Sequence, residues 1–185
     1  MSEIIFAGGK MFELVHLPQP DGRVFEVARR APGVRLIIVD KQAKKLLFTK
    51  EFRRELGMHD YRLPGGKVFD TLTEFEEFRK SGKDILEPAT AKAKAEAAEE
   101  AGMAVENVTL FKKSTLGATV EWDLYVFEAT DWHEHADGQT LEEGEQVDDV
   151  LWFGFAEAEQ MILDGMMQEE RIALILLQWL KSQQP

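Results

Sequence analysis

The chain has 185 residues, 34 acidic against 22 basic side chains, a formal net charge of −12 and no cysteine, so disulfides, thiolate metal centres and cysteine nucleophiles are all excluded. Its 44% hydrophobic and 30% charged content is that of a globular domain with a full core. A surface this acidic repels nucleic-acid backbones, so no nucleic-acid partner is expected, and a phosphorylated ligand would need local cations, bound Mg²⁺ or Mn²⁺ among them. The opening MSEIIFAGGK has no basic n-region and is not read as a signal peptide. IALILL near the C-terminus is far too short to span a bilayer. A soluble cytoplasmic protein without a membrane partner is the expectation.

In chain order, IIFA and KMFELVHL flank Gly8-Gly9 and predict a hairpin, the glycine pair being suited to the positive φ of a tight turn. PQPDG marks a second turn and RVFEVARR a third strand, giving an N-terminal β-hairpin region over residues 1–32. After Ala31-Pro32-Gly33, VRLIIVD has the pattern of a buried strand, and a polar turn at Lys41 to Lys45 leads into LLFTKEF. Residues 57–70, with Gly57, Pro64, Gly65 and Gly66, read as irregular. TLTEFEEFRKSGKDILE then predicts a short helix capped by Thr73 on a surface insertion.

A longer helix is expected from about Pro88 to Ala101, with proline in its first turn and Gly102 just past its end. NVTLFKKSTLG and TVEWDLYVFEATD follow as strands around Gly117, then a polar acidic loop from His133 to Glu145. The strand VDDVLWFGF, a helix in FAEAEQMILDG and an amphipathic helix in QEERIALILLQWLKS complete the chain, the last with Ile172, Ile175, Leu176 and Trp179 on one face. The fold class is α+β, a mixed β-sheet packed between helices. His133 and His135, two apart in a polar loop, are expected to face solvent rather than zinc. Phe6, Phe12 and Phe25 could stack on a base, but nothing separates them from ordinary strand residues.

Residues three and four apart share a helix face, so AKAKAEAAEEAGM brings Glu96, Glu99 and Glu100 to one side, with Ala91, Ala95, Ala98 and Ala101 expected opposite. Neighbouring carboxylates repel. Hard divalent cations, by contrast, take several oxygen ligands and commonly share them with a substrate phosphate. On its own the helix reads more readily as a solvated acidic face than as a metal site.

Context changes that reading. Arg62-Leu63-Pro64-Gly65-Gly66 precedes the helix, and Glu87 is followed after seven residues by Ala95-Glu96-Ala97-Ala98-Glu99-Glu100-Ala101-Gly102-Met103. This long gapped pattern resembles the signature of the Nudix hydrolase family: a glycine, a glutamate after five residues, then seven residues before Arg-Glu-aliphatic-any-Glu-Glu-any-Gly-aliphatic. Two departures stand out. Residues 67–86 occupy the space where the family has five, so about fifteen residues are inserted, over roughly 71–86. The family's arginine, which braces the glutamates by an ion pair, is Ala95 here; Lys92, one turn earlier, is the candidate substitute. A Nudix domain over 33–185 is the resulting expectation.

The resemblance implies a metal-dependent hydrolase with Glu96, Glu99 and Glu100 as Mg²⁺ ligands (Mn²⁺ being an alternative), the Gly65 carbonyl as a further ligand, Gly66 against the substrate and Glu87 supporting. The order of strands before the glycine turn looks like the branch that cleaves ADP-ribose and nucleoside-diphosphate sugars. There a Gln-Tyr-Arg follows the strand before the box, and Glu51-Phe52-Arg53 stands in that place, making Arg53 a candidate for gripping the diphosphate, with Arg62 beside it. Thr115 to Glu121 resembles that branch's Ser-Pro-Gly-x-x-x-Glu segment, so Glu121 is a candidate for the terminal ribose. In Leu141-Glu142-Glu143-Gly144-Glu145, Glu145 and then Glu143 match the glutamate that serves as base or extra metal ligand, with Glu100 the other catalytic candidate.

The implied reaction is hydrolysis of ADP-ribose or a related nucleoside-diphosphate sugar to a nucleoside monophosphate and a sugar phosphate, by a homodimer joined through residues 1–32. Two other readings stay open. One is a Nudix hydrolase of nucleoside triphosphates or dinucleoside polyphosphates. The other is a nucleotide-sensing module without catalysis, which the missing arginine at position 95 favours and the retained glutamates oppose.

Overall fold

The structure, a computed structural model describing residues 3–141 and 146–184, runs in chain order β1 (Ile4–Gly8), β2 (Phe12–Pro18), β3 (Val24–Arg30), β4 (Gly33–Asp40), β5 (Lys45–Arg53), β6 (Met58–Arg62), α1 (Leu72–Ser81), α2 (Leu86–Ala101), β7 (Met103–Ser114), β8 (Val120–Glu121), β9 (Leu124–Glu134), β10 (Asp149–Gly154), α3 (Phe155–Leu163) and α4 (Glu170–Ser182). The strands form two mixed sheets. β1-β2-β3-β8 is the smaller, and the larger is ordered β10-β5-β4-β9-β7, with β6 paired to β5. β4 and β9 run parallel at its centre, and the remaining pairs of that sheet are antiparallel.

β4 explains the layering. Its residues through Val39 are all buried, as expected of a central strand covered on both faces. Side chains alternate along a strand, so Val34, Leu36 and Ile38 join the α2 layer while Ile37 and Val39 join the α3–α4 layer. The two layers are filled differently. α2 approaches through Ala89, Ala93, Ala97 and Ala101, and α4 buries Ile172, Ile175, Leu176, Trp179 and Leu180. Large side chains such as these contribute about 1.5–3 kcal/mol each on burial, whereas the alanines' role is to let a helix backbone lie close to the sheet.

Four expectations need correction. Residues 58–62 form β6 rather than irregular chain: Gly57, at φ +67°, turns the chain so that Met58–Arg62 pairs antiparallel with β5. The segment lacks apolar alternation because Asp60 is its buried residue. The cap of α1 is Thr71, whose hydroxyl accepts from Glu74 N–H, not Thr73. The β1–β2 turn closes through Gly9 N–H donating to Phe12 O at 2.7 Å, with neither Gly8 nor Gly9 at positive φ.

The fourth concerns the alanine face of α2. Ala91 is exposed, Ala95 and Ala98 are half-buried, and the buried stripe at 89, 93, 97 and 101 adjoins Glu96 and Glu100 instead of opposing them. These carboxylates face the Pro64–Gly66 turn, which bonds to the central strand β4, and Gly65 N–H donates to Glu100 Oε2.

The 71–86 segment starts against the smaller sheet and ends with Ile85 and Leu86 on the α2 layer of the larger one. Leu72 N–H donates to Lys10 O, and Glu76 reaches Arg29 at 3.9 Å. Arg29, only 3% exposed, also meets Glu3, Glu13 and Glu121 at 2.9–3.1 Å, joining β2, β3, β8 and α1 through one guanidinium. Among the described residues no helix is long and apolar enough to cross a membrane.

Candidate active site

A cleft of about 530 Å³ opens where the Pro64–Gly66 turn, the middle and C-terminal part of α2 and the ends of β3, β5 and β6 meet. Among the described residues its lining holds seven cations (Arg30, Arg35, Arg53, Arg54, Arg62, Lys67 and Lys92) against five carboxylates (Glu51, Glu55, Asp70, Glu96 and Glu100). In a chain of net charge −12 this local excess of positive charge singles the cleft out as a place for an anion.

The floor is built by the glycine turn. Leu36 N–H donates to Pro64 O and Val34 N–H to Gly66 O, both at 2.9 Å, so the turn lies along the edge of β4. Gly65 has φ +155°, and a Cβ there would stand 2.2 Å from Val34 O. A Cβ on Gly66 would stand 2.0 Å from Glu96 Oε1. Gly65 is therefore required by close approach to backbone, whereas a side chain at position 66 would displace the Glu96 carboxylate. Gly65 N–H donates to Glu100 Oε2 at 2.8 Å, and Gly65 O accepts from Arg35 Nη1 at 2.8 Å.

Glu96 and Glu100 are 4% and 9% exposed. Burial, with Glu96 beside it, pushes Glu100 up to about 8, against the pull of the Gly65 amide. Lys92 Nζ lies 2.9 Å from Glu96 Oε1 and 3.4 Å from Glu99 Oε2, one turn along the helix as expected of a substitute brace. Glu99 is partly exposed and does not line the cleft. Among the described residues no three acidic or imidazole side chains converge as a ready-made cage. The donors nevertheless suit a hard divalent cation: all are oxygens, and the crowded Glu96–Glu100 pair is relieved by positive charge. Such a cation would complete its shell from water and substrate phosphate.

The other end of the cleft is an arginine group. Arg35 is 6% exposed and donates to Val34 O, Gly65 O and Glu169 Oε2. Arg62 reaches Glu169 at 3.4 Å and Asp60 at 3.7 Å. Arg171 lies behind, donating to Trp122 O, and Arg30 and Arg171 each set a guanidinium carbon 4.4 Å from the centroid of the Trp122 ring. Burial opposes charge on Glu169, yet Arg35, Arg62 and Arg171 together hold its pKa below the usual glutamate value. Arg30 has no such carboxylate within ion-pair distance among the described residues. Burial and its neighbours Arg35 and Arg62 lower its pKa, and its Nε is buried without a hydrogen-bond partner.

The structure thus brings Gly65, Gly66, Lys92, Glu96, Glu100, Arg53 and Arg62 to one cleft. Arg53 is pulled towards Glu51 (3.3 Å) and Glu55 (3.7 Å). Glu87 is exposed on the first turn of α2, away from the lining. Glu121 pairs with Arg29 in the smaller sheet, and it is the next residue, Trp122, that enters the cleft. Glu143 and Glu145 lie outside the described residues. On either side of them, Thr140 N–H donates to Glu99 O, and Gln146 and Val147 line the cleft. No residue of the 71–86 insertion lines it, Asp70 being the nearest in sequence that does.

The sequence reading missed Arg30, Arg35, Trp122, Glu169 and Arg171. One signal was present: Arg29, Arg30 and Arg35 crowd a short stretch whose second half, VRLIIVD, is otherwise apolar. An arginine inside a fully buried strand needs partners, and that need marks a site.

No protein-family model matches the chain, and no curated protein matches it in sequence. Solved structures do. One is the crystal structure of an ADP compounds hydrolase, with a TM-score of 0.68 and 20% identity over 99% of this chain and 94% of that one. At that identity the likeness establishes the fold: the two mixed sheets and four helices are those of the Nudix fold expected from the sequence.

Proposed function

We propose that the chain is a divalent-metal-dependent hydrolase that cleaves the diphosphate bond of ADP-ribose or a related nucleoside-diphosphate sugar. The observation that carries this reading is the pairing, within one cleft, of the buried carboxylates Glu96 and Glu100 with the arginines Arg30, Arg35 and Arg62. The arginine end suits the charge of a diphosphate and the carboxylate end suits the cation that accompanies it. The name of the structural neighbour, an ADP compounds hydrolase, points the same way.

In the reaction, water adds to one phosphorus and the bridging P–O bond breaks, giving a nucleoside monophosphate and a sugar phosphate. Glu96 and Glu100, with Glu99 beside them, would hold Mg²⁺ or Mn²⁺, which when bound polarises phosphoryl oxygens and lowers the pKa of water. Lys92 keeps the carboxylates of α2 in place by offsetting their mutual repulsion. Arg30 and Arg62 orient the diphosphate and exclude water from its far side. Glu145, or Glu143 two residues before it, is proposed to take the proton from the attacking water. A homodimer formed through β1–β3 is proposed as well, since Ile4, Ile5, Phe6 and Phe25 there are all more than half exposed.

The test is a panel of ADP-ribose, nucleoside-diphosphate sugars, nucleoside triphosphates and dinucleoside polyphosphates with Mg²⁺, followed by product identification. Nucleoside monophosphate plus sugar phosphate is the expected outcome. Release of inorganic phosphate or pyrophosphate from a triphosphate would move the substrate class, and binding without turnover would make the chain a sensor.

A further inference from the structure

With alanine at position 95, α2 lacks the arginine that resemblance to the Nudix signature places there, and Lys92 pairs with the glutamates instead. The ammonium of Lys92 meets the carboxylates of Glu96 and Glu99. The turn nonetheless needs a fixed orientation, because Gly65 N–H is what holds Glu100 Oε2 at 2.8 Å.

Arg35 meets that need. It sits on β4 in the alternation of Ile37 and Val39, so its side chain belongs to the α3–α4 side of the sheet. From there Nη1 reaches Gly65 O (2.8 Å) and Val34 O (2.9 Å), while Nη2 is held by Glu169 Oε2 (3.1 Å) at the start of α4. Glu169 is itself fixed, because the adjacent Gln168 N–H donates to the buried Asp60. A continuous path therefore runs Glu169–Arg35–Gly65–Glu100, crossing from one face of the sheet to the other. A buried guanidinium on a central strand carries a desolvation cost that an apolar residue would avoid.

We infer that Arg35 is the positioning residue of this site: it locks the Gly65 peptide so that the carboxylate of Glu100 is presented to the metal, a task divided here between Arg35 for the turn and Lys92 for the carboxylates. The inference rests on the proposed metal-dependent reading of the cleft. Arg35 acts through Gly65 and touches no reacting atom. Only a forked, planar donor can hold Gly65 O and Glu169 together, so lysine is not an adequate replacement.

The experiment uses the full chain and compares wild type with Arg35→Lys and Arg35→Met. It reads Mn²⁺ affinity directly from the spectrum of the free ion, hydrogen exchange at the Gly65 amide, and the melting temperature. Loss of an outer-shell partner typically costs 10–100-fold in metal affinity. Arg35→Lys, which keeps the charge opposite Glu169 and so folds, is expected to weaken Mn²⁺ binding about 10-fold and to speed Gly65 exchange, with Arg35→Met weakening it further. Mn²⁺ affinity and Gly65 protection at the wild-type level in folded Arg35→Lys would overturn the inference. The parent reading fails differently: wild type itself would then bind no Mn²⁺ and cleave no nucleoside diphosphate.

Discussion

At one end of the cleft Glu96 and Glu100 come from a single helix, one turn apart; at the other, Arg30, Arg35 and Arg62 come from three different strands, and their carboxylate partner Glu169 from the start of α4. Each end holds an excess of its own charge. Glu100 is pushed up by burial and Glu96, and Arg30 is pushed down by burial and its neighbouring arginines. A single bound species that brings a cation to one end and an anion to the other relieves both. A metal–diphosphate complex is such a species, which is why the two ends make better sense together than either does alone.

The largest effect is expected from breaking the carboxylate end. Glu100→Gln removes one of the oxygens proposed to hold the cation and should lower turnover about 10³-fold, a few kcal/mol of barrier, in a steady-state assay with saturating Mg²⁺. The same substitution sharpens the contrast in stability. A carboxyl whose pKa is raised on folding stabilises the metal-free fold most below its unfolded pKa, and that contribution drains away as pH rises towards 8. Glu100→Gln should therefore flatten the fall of the melting temperature between pH 4.5 and about 8 in EDTA.

The arginine end has the opposite sign. The pKa of Glu169 is depressed in the fold, so its contribution is present above the usual glutamate value of about 4.3 and lost as pH falls through the lower folded value. Glu169→Gln leaves Arg35 and Arg171 without their carboxylate, and chemical denaturation at neutral pH should show a loss of about 3 kcal/mol. The variant's stability should also lose part of the wild type's decline below pH 4.5; an unchanged acid limb would contradict the assignment.

Smaller effects separate binding from turnover. Arg30→Ala removes a cation with no carboxylate partner among the described residues, so KM should rise about 10-fold with little change in kcat or melting temperature. The smallest change is expected for Lys92→Ala, a few-fold loss in Mn²⁺ affinity, because its ammonium is itself partly solvated and Glu100 keeps the Gly65 amide without it. Identical metal affinity and turnover in that variant would remove Lys92 from the site.

The same contrast explains what could be read in advance. The carboxylate end is local: Gly65-Gly66, the spacing from Glu87 to Glu96, Glu99 and Glu100, and Gly102 at φ +63° all follow from short-range pattern. The amphipathic face of α4 is local in the same sense, and Ile172, Ile175, Leu176 and Trp179 are buried as its periodicity requires. The arginine end is a product of tertiary pairing. Nothing near Arg35 in sequence names Glu169, which lies 134 residues away, and nothing near Arg30 names Trp122. Arg29 and Arg30 are neighbours on alternate sides of β3. One is consumed by Glu3, Glu13 and Glu121 in the smaller sheet and the other turns to the cleft, a difference that only the packing decides. Likewise β6 was hidden because its buried residue is an aspartate, used to dock the loop before α4.

The proposed function is that the carboxylates of the cleft would hold a divalent cation and its arginines one diphosphate. Its most direct test is incubation of the wild-type chain with ADP-ribose, in Mg²⁺ and in EDTA, with the products separated and identified. AMP and ribose phosphate in Mg²⁺, and intact ADP-ribose in EDTA, is the predicted result. Equal cleavage in EDTA, or ADP-ribose left intact in Mg²⁺, would contradict it.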